Sequence, residues 1–268
     1  MTNNILLPQW LDNLIFNELN AKYCPSFSTM TNIDDDKEKT LNYLGTYFPR
    51  SYAESYTIFT DYFQKHKSDY KGKTELNVFD FGCGTGGEII GLLTAIEKYL
   101  PEVQLVEIVG FDGNQFALRK YEQILRFFRG VTRLQVIDRV FPHEVDDFYD
   151  FDLVGEVLNQ KFDLVITFKA ICEFVEKQQF ETKKPYSHIT KMFLPKLSVD
   201  GIMVLVDITV YSDVSEQWLP KMMDEGLMKS YCKVVERNNG YNQIICVNHS
   251  CKKGDMSKIA WRIIKNNR

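Results

Sequence analysis

The stretch of sequence that decides the fold is residues 78–89, VFDFGCGTGGEI. Its first four positions are mostly apolar, four glycines follow, and the next residues have helical spacing. This pattern predicts a strand, a tight turn and the start of a helix. Glycine suits such a turn because it accepts a positive φ angle and lets another molecule approach the backbone closely.

Gly82, Gly84 and Gly87 also satisfy the G-x-G-x-x-G fingerprint of dinucleotide-binding turns. Asp80 argues against a dinucleotide, because a fixed negative charge just below the turn would oppose a pyrophosphate group. A cationic ligand suits this position better. We therefore expect the turn to bind a cofactor that carries an ammonium and a sulfonium group.

The segment D-F-G-C-G-T-G-G resembles the first motif of class I S-adenosylmethionine-dependent methyltransferases. Asp80, Gly82, Gly84 and Gly86 carry the resemblance, and matching features extend over residues 74–210. The resemblance implies a Rossmann-like α/β fold with a mostly parallel seven-stranded sheet and an antiparallel edge hairpin. It also implies S-adenosyl-L-methionine as the cofactor.

Residues 105–111 are strongly apolar and predict a second, buried parallel strand that ends at Asp112. A carboxylate in this position can accept both hydroxyls of a ribose through charge-assisted hydrogen bonds. The alternative is that Asp112 only caps the following helix. We favour the ribose role, and we expect Gly113 to lie at the cofactor as well.

The segment YFPRSYAES, residues 47–55, lies upstream of the glycine motif. It resembles an element of a methyltransferase-like family that is associated with the small subunit of mitochondrial ribosomes and has bacterial members. The resemblance implies that Tyr47 and Arg50 close over the cofactor, with Arg50 near its carboxylate. In the alternative interpretation, the aromatic residues belong to the core and Arg50 to the surface. Pro49 predicts one helix before Phe48 and another after Arg50.

The region of residues 130–161 gives a weaker pattern. The sequence LQVIDRVF (134–141) predicts a strand or a short helix, and VDDFYDFDLV (145–154) is the better candidate for the third strand. By analogy with the class I family, an acid placed before the next strand would hydrogen-bond the adenine amino group of the cofactor. Asp152 is our first choice for this role and Asp150 the second.

Phe162–Phe168 predicts a central parallel strand. In the class I family the carboxyl end of this strand faces the transferred methyl group, so we place Phe168 at the cofactor. Members that methylate exocyclic base amines carry N/D-P-P-Y/F here, whereas this chain has T-F-K-A at 167–170, which disfavours that activity. Cytosine C5 chemistry would need a Pro-Cys nucleophile, and Cys172 lacks the proline. No catalytic residue is predicted.

The C-terminal part of the chain continues the α/β pattern. Strands are expected at 202–206, 241–247 and 259–264, the last two as an antiparallel pair around a polar loop at 249–257. Helices are expected at 186–197 and 215–228. At the start of the chain, apolar residues near helical spacing predict a helix: Ile5, Leu6, Trp10, Leu14, Ile15 and Leu19. We divide the chain into an N-terminal helical extension or lid, residues 1–72, and a cofactor-binding domain, residues 73–268.

Composition narrows the class further. The formal net charge of −4 gives no general attraction to nucleic acid. Neither a long apolar span nor a signal-peptide pattern is evident, and six scattered cysteines are typical of a reducing compartment, so we expect a cytoplasmic protein. The spacing of Cys232, Cys246, His249 and Cys251 contains no C-x-x-C pair and does not favour a metal site.

Together these features predict an S-adenosylmethionine-dependent methyltransferase of the EC 2.1.1 class. Its acceptor is expected to be either an RNA or ribosomal component or a small molecule. One alternative is a methyltransferase-like binding or assembly protein that retains the cofactor site without catalysis. A NAD-dependent oxidoreductase is a further alternative, and Asp80 argues against it.

Overall fold

The computed structural model describes residues 3–26, 36–145, 149, 158–175, 184–209, 211–212 and 217–267. The strands in chain order are β1 (Asn3–Leu6), β2 (Glu75–Phe81), β3 (Leu105–Asp112), β4 (Gln135–Pro142), β5 (Phe162–Phe168), β6 (Leu197–Ile208), β7 (Tyr211–Ser212), β8 (Gln217–Trp218), β9 (Cys232–Arg237), β10 (Gln243–His249) and β11 (Lys252–Asn266). The α-helices are α1 (Gln9–Asn13), α2 (Lys37–Lys65), α3 (Gly87–Tyr99), α4 (Gln115–Arg129), α5 (Ile171–Phe174), α6 (Pro185–Phe193) and α7 (Leu219–Met228). Shorter turns are π-helical at Leu14–Glu18 and 3₁₀-helical at Lys67–Tyr70 and Leu194–Lys196.

The chain forms two compact units. The first unit contains Met1–Glu75, Cys83–His143 and Ile244–Ser257, and the second contains Leu76–Gly82, Glu144–Gln243 and Lys258–Arg268. Among the described residues, no helix is both long and apolar enough to cross a membrane.

In the first unit, β3 and β4 are parallel and in register from Leu105 opposite Gln135 to Asp112 opposite Pro142. The sequence LQVIDRVF, for which strand and helix were both open, is therefore a strand. The favoured third-strand candidate, 145–154, lies outside the described residues except for Val145 and Tyr149.

In the second unit, β2 is parallel to β5, and β5 is parallel to β6. Strand β11 then pairs antiparallel with β6 and also with β9. The core of this unit includes Phe79, Phe162 and Phe193. The centroid of the Phe79 ring lies 5.6 Å from that of Phe162 and 5.1 Å from that of Phe193. Parallel strands with an antiparallel addition confirm the predicted Rossmann-like class.

Two expectations for the ends of the chain are wrong. Ile5 and Leu6 belong to strand β1, which pairs parallel with β10, so strand pairing decides the structure here over the helical spacing. The expected loop at 249–257 is the tight turn of a hairpin, because β10 ends at His249 and β11 begins at Lys252.

The predicted break at Pro49 is also wrong, because α2 runs through it as one helix. Proline costs one backbone hydrogen bond inside a helix, a loss that tertiary packing can offset. Two glycines of α3 allow α2 to pack closely: a Cβ on Gly87 would lie 2.7 Å from the Phe48 carbonyl oxygen, and one on Gly91 would lie 2.4 Å from that of Tyr52. The burial of α2 against α3 keeps the helix continuous.

We expect Gly91→Ala to lower the free energy of unfolding by about 1–3 kcal/mol, because the new methyl group forces α2 and α3 apart. Intrinsic helix propensity alone would favour alanine by about 1 kcal/mol. Urea denaturation measures the change. Gln123→Ala on the exposed side of α4 is the control, expected within about 0.5 kcal/mol of the parent protein. A Gly91→Ala variant as stable as the parent would contradict the close helix contact.

Candidate functional site

The glycine turn after β2 has the backbone that its sequence predicts. Gly82, Gly84 and Gly86 have φ angles of 75°, 46° and 81°. At Gly86 a side chain would also meet the Tyr121 ring, 2.4 Å from the position of its Cβ. Helix α3 begins directly after Gly86, so the N-terminus of the helix follows the turn.

Asp112 at the end of β3 reaches this turn. Its Oδ2 accepts a hydrogen bond from the Gly84 N–H at 2.8 Å, and its Oδ1 accepts one from the Asn114 N–H at 2.8 Å. The alternative role as a helix cap is wrong, because the cap of α4 is Asn114, whose Oδ1 accepts from the Ala117 N–H at 2.9 Å. Burial raises the pKa of Asp112, and the two backbone donors oppose that rise.

This arrangement leaves capacity for a ligand. A carboxylate offers about four lone-pair positions, of which the two backbone N–H groups use two. The space beside Gly84 is open. In the part of the chain that the structure describes, a Cβ on Gly84 would have one neighbour within 4 Å, the Asp112 Oδ2 at 4.0 Å. The Asp112 carboxylate and the bare Gly84 backbone therefore fit a hydroxyl-bearing group such as a ribose.

The upstream segment of α2 lies beside the start of α3. A Cβ on Gly87 would lie 2.9 Å from the Ser51 Cβ, which fixes this part of α2 against the first turn of α3. The guanidinium carbon of Arg50 lies 5.3 Å from the centroid of the Tyr47 ring. The structure therefore brings Tyr47 and Arg50 together on the helix that packs next to the glycine turn.

Arg50 is a partly buried ion-pair partner, with 17% of its side chain exposed, and not the free surface residue of the alternative interpretation. Its Nε donates to the Asp255 Oδ2 at 2.9 Å and its Nη2 to the Oδ1 at 2.7 Å. The Tyr23 hydroxyl donates to the same Oδ1 at 3.0 Å, and the His249 Nε2 lies 3.6 Å from the Oδ2. Sequence reasoning missed Asp255, because it assigned this residue to a polar loop.

The Asp255 carboxylate is strongly stabilised in its charged form. Burial alone would raise its pKa, but the contacts with His249, Arg50 and Tyr23 outweigh burial and lower the pKa to about 2. The bidentate geometry of Arg50 is the strong form of such a pair. Asp255 therefore holds the side chain of Arg50 in one orientation.

The second unit contains three further residues predicted at the cofactor. Asp80 is fully buried in β2 opposite Ile166, and Gly82 follows that strand. Phe168 ends β5 opposite Val206. Asp152 and Asp150, the candidates for an adenine contact, lie outside the described residues. Gly113 directly follows Asp112 in the first unit.

Polar side chains also meet at the carboxyl ends of β5 and β6. The Tyr186 hydroxyl donates to the buried Asp207 Oδ2 at 2.7 Å, and the Cys172 thiol donates to the Lys169 carbonyl at 2.9 Å. Burial, and next the Asp207 charge, raise the pKa of Cys172 well above its ordinary value. A thiol that holds its proton so firmly is a poor nucleophile, which agrees with the sequence argument against Cys172.

Comparison with known proteins now identifies the class. Residues 73–266 match the model of a family described as a methyltransferase domain, and the chain belongs to this family. The resemblance to class I S-adenosylmethionine-dependent methyltransferases is confirmed, and with it S-adenosyl-L-methionine as the cofactor. The resemblance to the mitochondrial ribosome-associated family stays a prediction. A comparison with curated proteins finds no match.

Three solved structures of similar fold illustrate the class. The plantazolicin methyltransferase BpumL in complex with SAH is 14% identical with a TM-score of 0.50, over 96% of this chain and 94% of that one. Magnesium protoporphyrin IX methyltransferase from Synechocystis PCC 6803 with bound SAM is 10% identical with a TM-score of 0.50, over 96% and 95%. A proposed RNA methyltransferase from Pyrococcus horikoshii is 14% identical with a TM-score of 0.50, over 97% and 99%. At such low sequence identities, the structural likeness establishes a shared fold and nothing more.

The Asp255 ion pair gives a pH-dependent prediction. We expect Asp255→Asn to lower the free energy of unfolding at neutral pH, because the folded pKa of Asp255, about 2, lies below its ordinary value of 3.8. This stabilisation is complete above the ordinary value and is lost as the pH falls through the folded pKa. The gap between parent and variant should therefore shrink between pH 3.8 and about 2.

Urea denaturation over a series of pH values tests this expectation. Asp69→Asn is a suitable control, because Asp69 forms a half-exposed pair with His66, and such pairs contribute about 0–1 kcal/mol. A parent–variant gap for Asp255 that stays constant through the acid range would show that the carboxylate charge does not stabilise the fold.

Proposed function

We propose that the glycine turn and Asp112 bind S-adenosyl-L-methionine and that the chain transfers its methyl group to RNA. One observation carries the cofactor part of this proposal: the Gly84 N–H lies 2.8 Å from the Asp112 Oδ2. This contact joins the two sequence features that were each predicted to hold the same cofactor. Their meeting supports a single adenosyl-binding position.

The role of each group follows from its chemistry. The free lone pairs of Asp112 accept the two ribose hydroxyls, and the bare backbone of Gly84 and Gly86 allows the cofactor to lie against the turn. We propose that Arg50, whose guanidinium is bound by Asp255, pairs with the cofactor carboxylate. The further proposed contacts are Tyr47, Asp80, Gly82, Gly113, Asp152 and Phe168.

Methyl transfer from a sulfonium does not require a strongly acidic or basic side chain. When bound, the cofactor would supply the methyl group, and the thioether that leaves is neutral. The main tasks of the protein are therefore to align the acceptor and to exclude water. This explains why the sequence predicts cofactor contacts but no catalytic residue. For the acceptor we propose RNA over a small molecule, because residues 65–73 have a formal charge of +3 in a chain of net charge −4. The T-F-K-A sequence at 167–170 argues that the acceptor atom is not an exocyclic base amine.

We expect Asp112→Ala to weaken binding of S-adenosylhomocysteine by about 1.5–3 kcal/mol, the scale of hydrogen bonds to a charged group. Isothermal titration calorimetry measures the change, and thermal unfolding checks that the variant folds. Asp138→Ala is a matched control, because it removes a carboxylate of β4 that pairs with Arg129 of α4. This variant should bind S-adenosylhomocysteine like the parent. Unchanged affinity of Asp112→Ala would remove Asp112 from the cofactor site.

Arg50→Lys tests the contact with the cofactor carboxylate. Lysine keeps the charge but loses the bidentate geometry. We expect weaker binding of S-adenosylhomocysteine and unchanged binding of 5′-methylthioadenosine, which has no carboxylate. A general structural defect would weaken both ligands equally, and that outcome would place Arg50 outside the site.

A further inference from the structure

A strongly basic stretch stands out in this acidic chain. Residues 65–73, KHKSDYKGK, contain four lysines and one aspartate, so their formal charge is +3 with neutral histidine, whereas the whole chain has −4. Lys65, Lys67 and Lys71 are exposed, and so is Lys98 near the end of α3. Such a local excess of positive charge attracts polyanions even when the net charge is negative.

A cavity opens beside this stretch. Its volume is about 340 Å³, and we call it the basic pocket; its lining includes Lys67, Lys71, Tyr70, Tyr99, Pro101 and Glu102. The volume lies at the lower end of the range typical of small-ligand sites. The carboxylate of Glu102 already accepts the Gly72 N–H at 2.9 Å, so part of its charge is committed to the loop.

The aromatic rings of the basic pocket are held in place by their neighbours. Tyr70 is 7% exposed and meets the Phe63 ring edge-on at 5.2 Å. The Lys98 Nζ lies 5.3 Å from the centroid of the half-buried Tyr99 ring and donates to the Tyr56 hydroxyl at 3.0 Å. Tyr99 is thus a partly exposed ring with the Lys98 ammonium nearby, and Lys67 and Lys71 line the same cavity. An aromatic ring beside ammonium groups can stack a base and pair with its phosphates.

The basic pocket lies at the opposite end of β3 from Asp112. Pro101 and Glu102 precede the first residue of β3, Leu105, whereas Asp112 is its last. A strand advances about 3.3 Å per residue, so about 23 Å separates the two ends of β3. A ligand in the basic pocket is therefore not the cofactor, and an RNA chain bound there would be held at a distance from the cofactor.

We propose that the basic pocket is a docking surface for single-stranded RNA. One base stacks on Tyr99, and the flanking phosphates pair with Lys67, Lys71 and Lys98. The recessed tyrosines argue against a membrane surface, which would need protruding apolar side chains. This inference rests on the proposed function in one respect, namely that the docked RNA carries the methyl acceptor.

Fluorescence anisotropy with a short fluorescein-labelled oligouridylate at low salt tests the proposal. We expect Lys67→Glu/Lys71→Glu to weaken binding by roughly tenfold or more and to reduce the slope of log K against log salt by about 1.4, because each phosphate contact on a single strand contributes about 0.7. Lys252→Glu/Lys253→Glu changes the net charge equally at two exposed lysines of β11 and should bind almost like the parent.

A second pair of variants tests the stacking. Tyr99→Ala should weaken oligouridylate binding by roughly tenfold, and Tyr99→Phe should keep most of the affinity. The proposal is overturned if the parent protein does not bind the oligonucleotide, if both double-lysine variants lose affinity equally, or if Tyr99→Phe binds as weakly as Tyr99→Ala. Equal binding of anionic phospholipid vesicles, lost in the same lysine variant, would also overturn it in favour of a membrane surface.

Calorimetry with S-adenosylhomocysteine separates this proposal from the cofactor assignment. The lysine and tyrosine variants should bind S-adenosylhomocysteine like the parent, which also shows that they fold. Loss of RNA binding with intact cofactor binding supports the docking surface. RNA binding in a parent protein that does not bind S-adenosylhomocysteine would defeat the proposed function and leave the docking surface standing.

Discussion

The hydrogen bond from the Gly84 N–H to the Asp112 carboxylate is the contact on which the candidate site depends. It requires that residue 84 adopts a φ of 46°, which glycine accepts readily, and that β3 ends at Asp112. It also requires another residue to cap α4, a role that Asn114 takes. Because each oxygen of Asp112 accepts one backbone N–H, the carboxylate is fixed in position before any ligand arrives. Such preorganisation reduces the entropy that binding must cost.

The packing of α2 on α3 extends this constraint to a distant part of the sequence. Gly87 and Gly91 bring the two backbones close, so the segment with Tyr47 and Arg50 lies against the first turn of α3. Asp255, 205 residues further along the chain, then fixes the Arg50 guanidinium. Three segments that are far apart in sequence thus meet in the first unit, and each contributes a different kind of contact: bare backbone, a carboxylate and a guanidinium.

The sequence predicted those parts of the fold that local pattern determines. Strand β5 has the predicted bounds, and the glycine turn has the positive φ angles that its composition implies. Apart from the hairpin turn at 249–257, the failures depend on contacts between distant residues. Helix α2 continues through Pro49 because α3 covers it, β1 forms because β10 offers a pairing edge, and Asp255 is buried because Arg50 lies opposite. No local pattern contains that information, so neither the Arg50–Asp255 pair nor the Tyr186–Asp207 contact was predictable.

The polar contacts of Asp207 at the end of β6 lie within the second unit. The Asp207 oxygens accept the Tyr186 hydroxyl and the Ile208 N–H, so the polar atoms of this buried acid are used to tie α6 to the sheet. Methyl transfer with a neutral leaving group does not require a strong acid or base in any case. Surfaces away from the cofactor can then contribute to selection among acceptors through their charge and shape. In a chain with a formal net charge of −4, the lysines of residues 65–73 give the surface beside Tyr70 and Tyr99 a local positive charge, which is the kind of surface that attracts a polyanion.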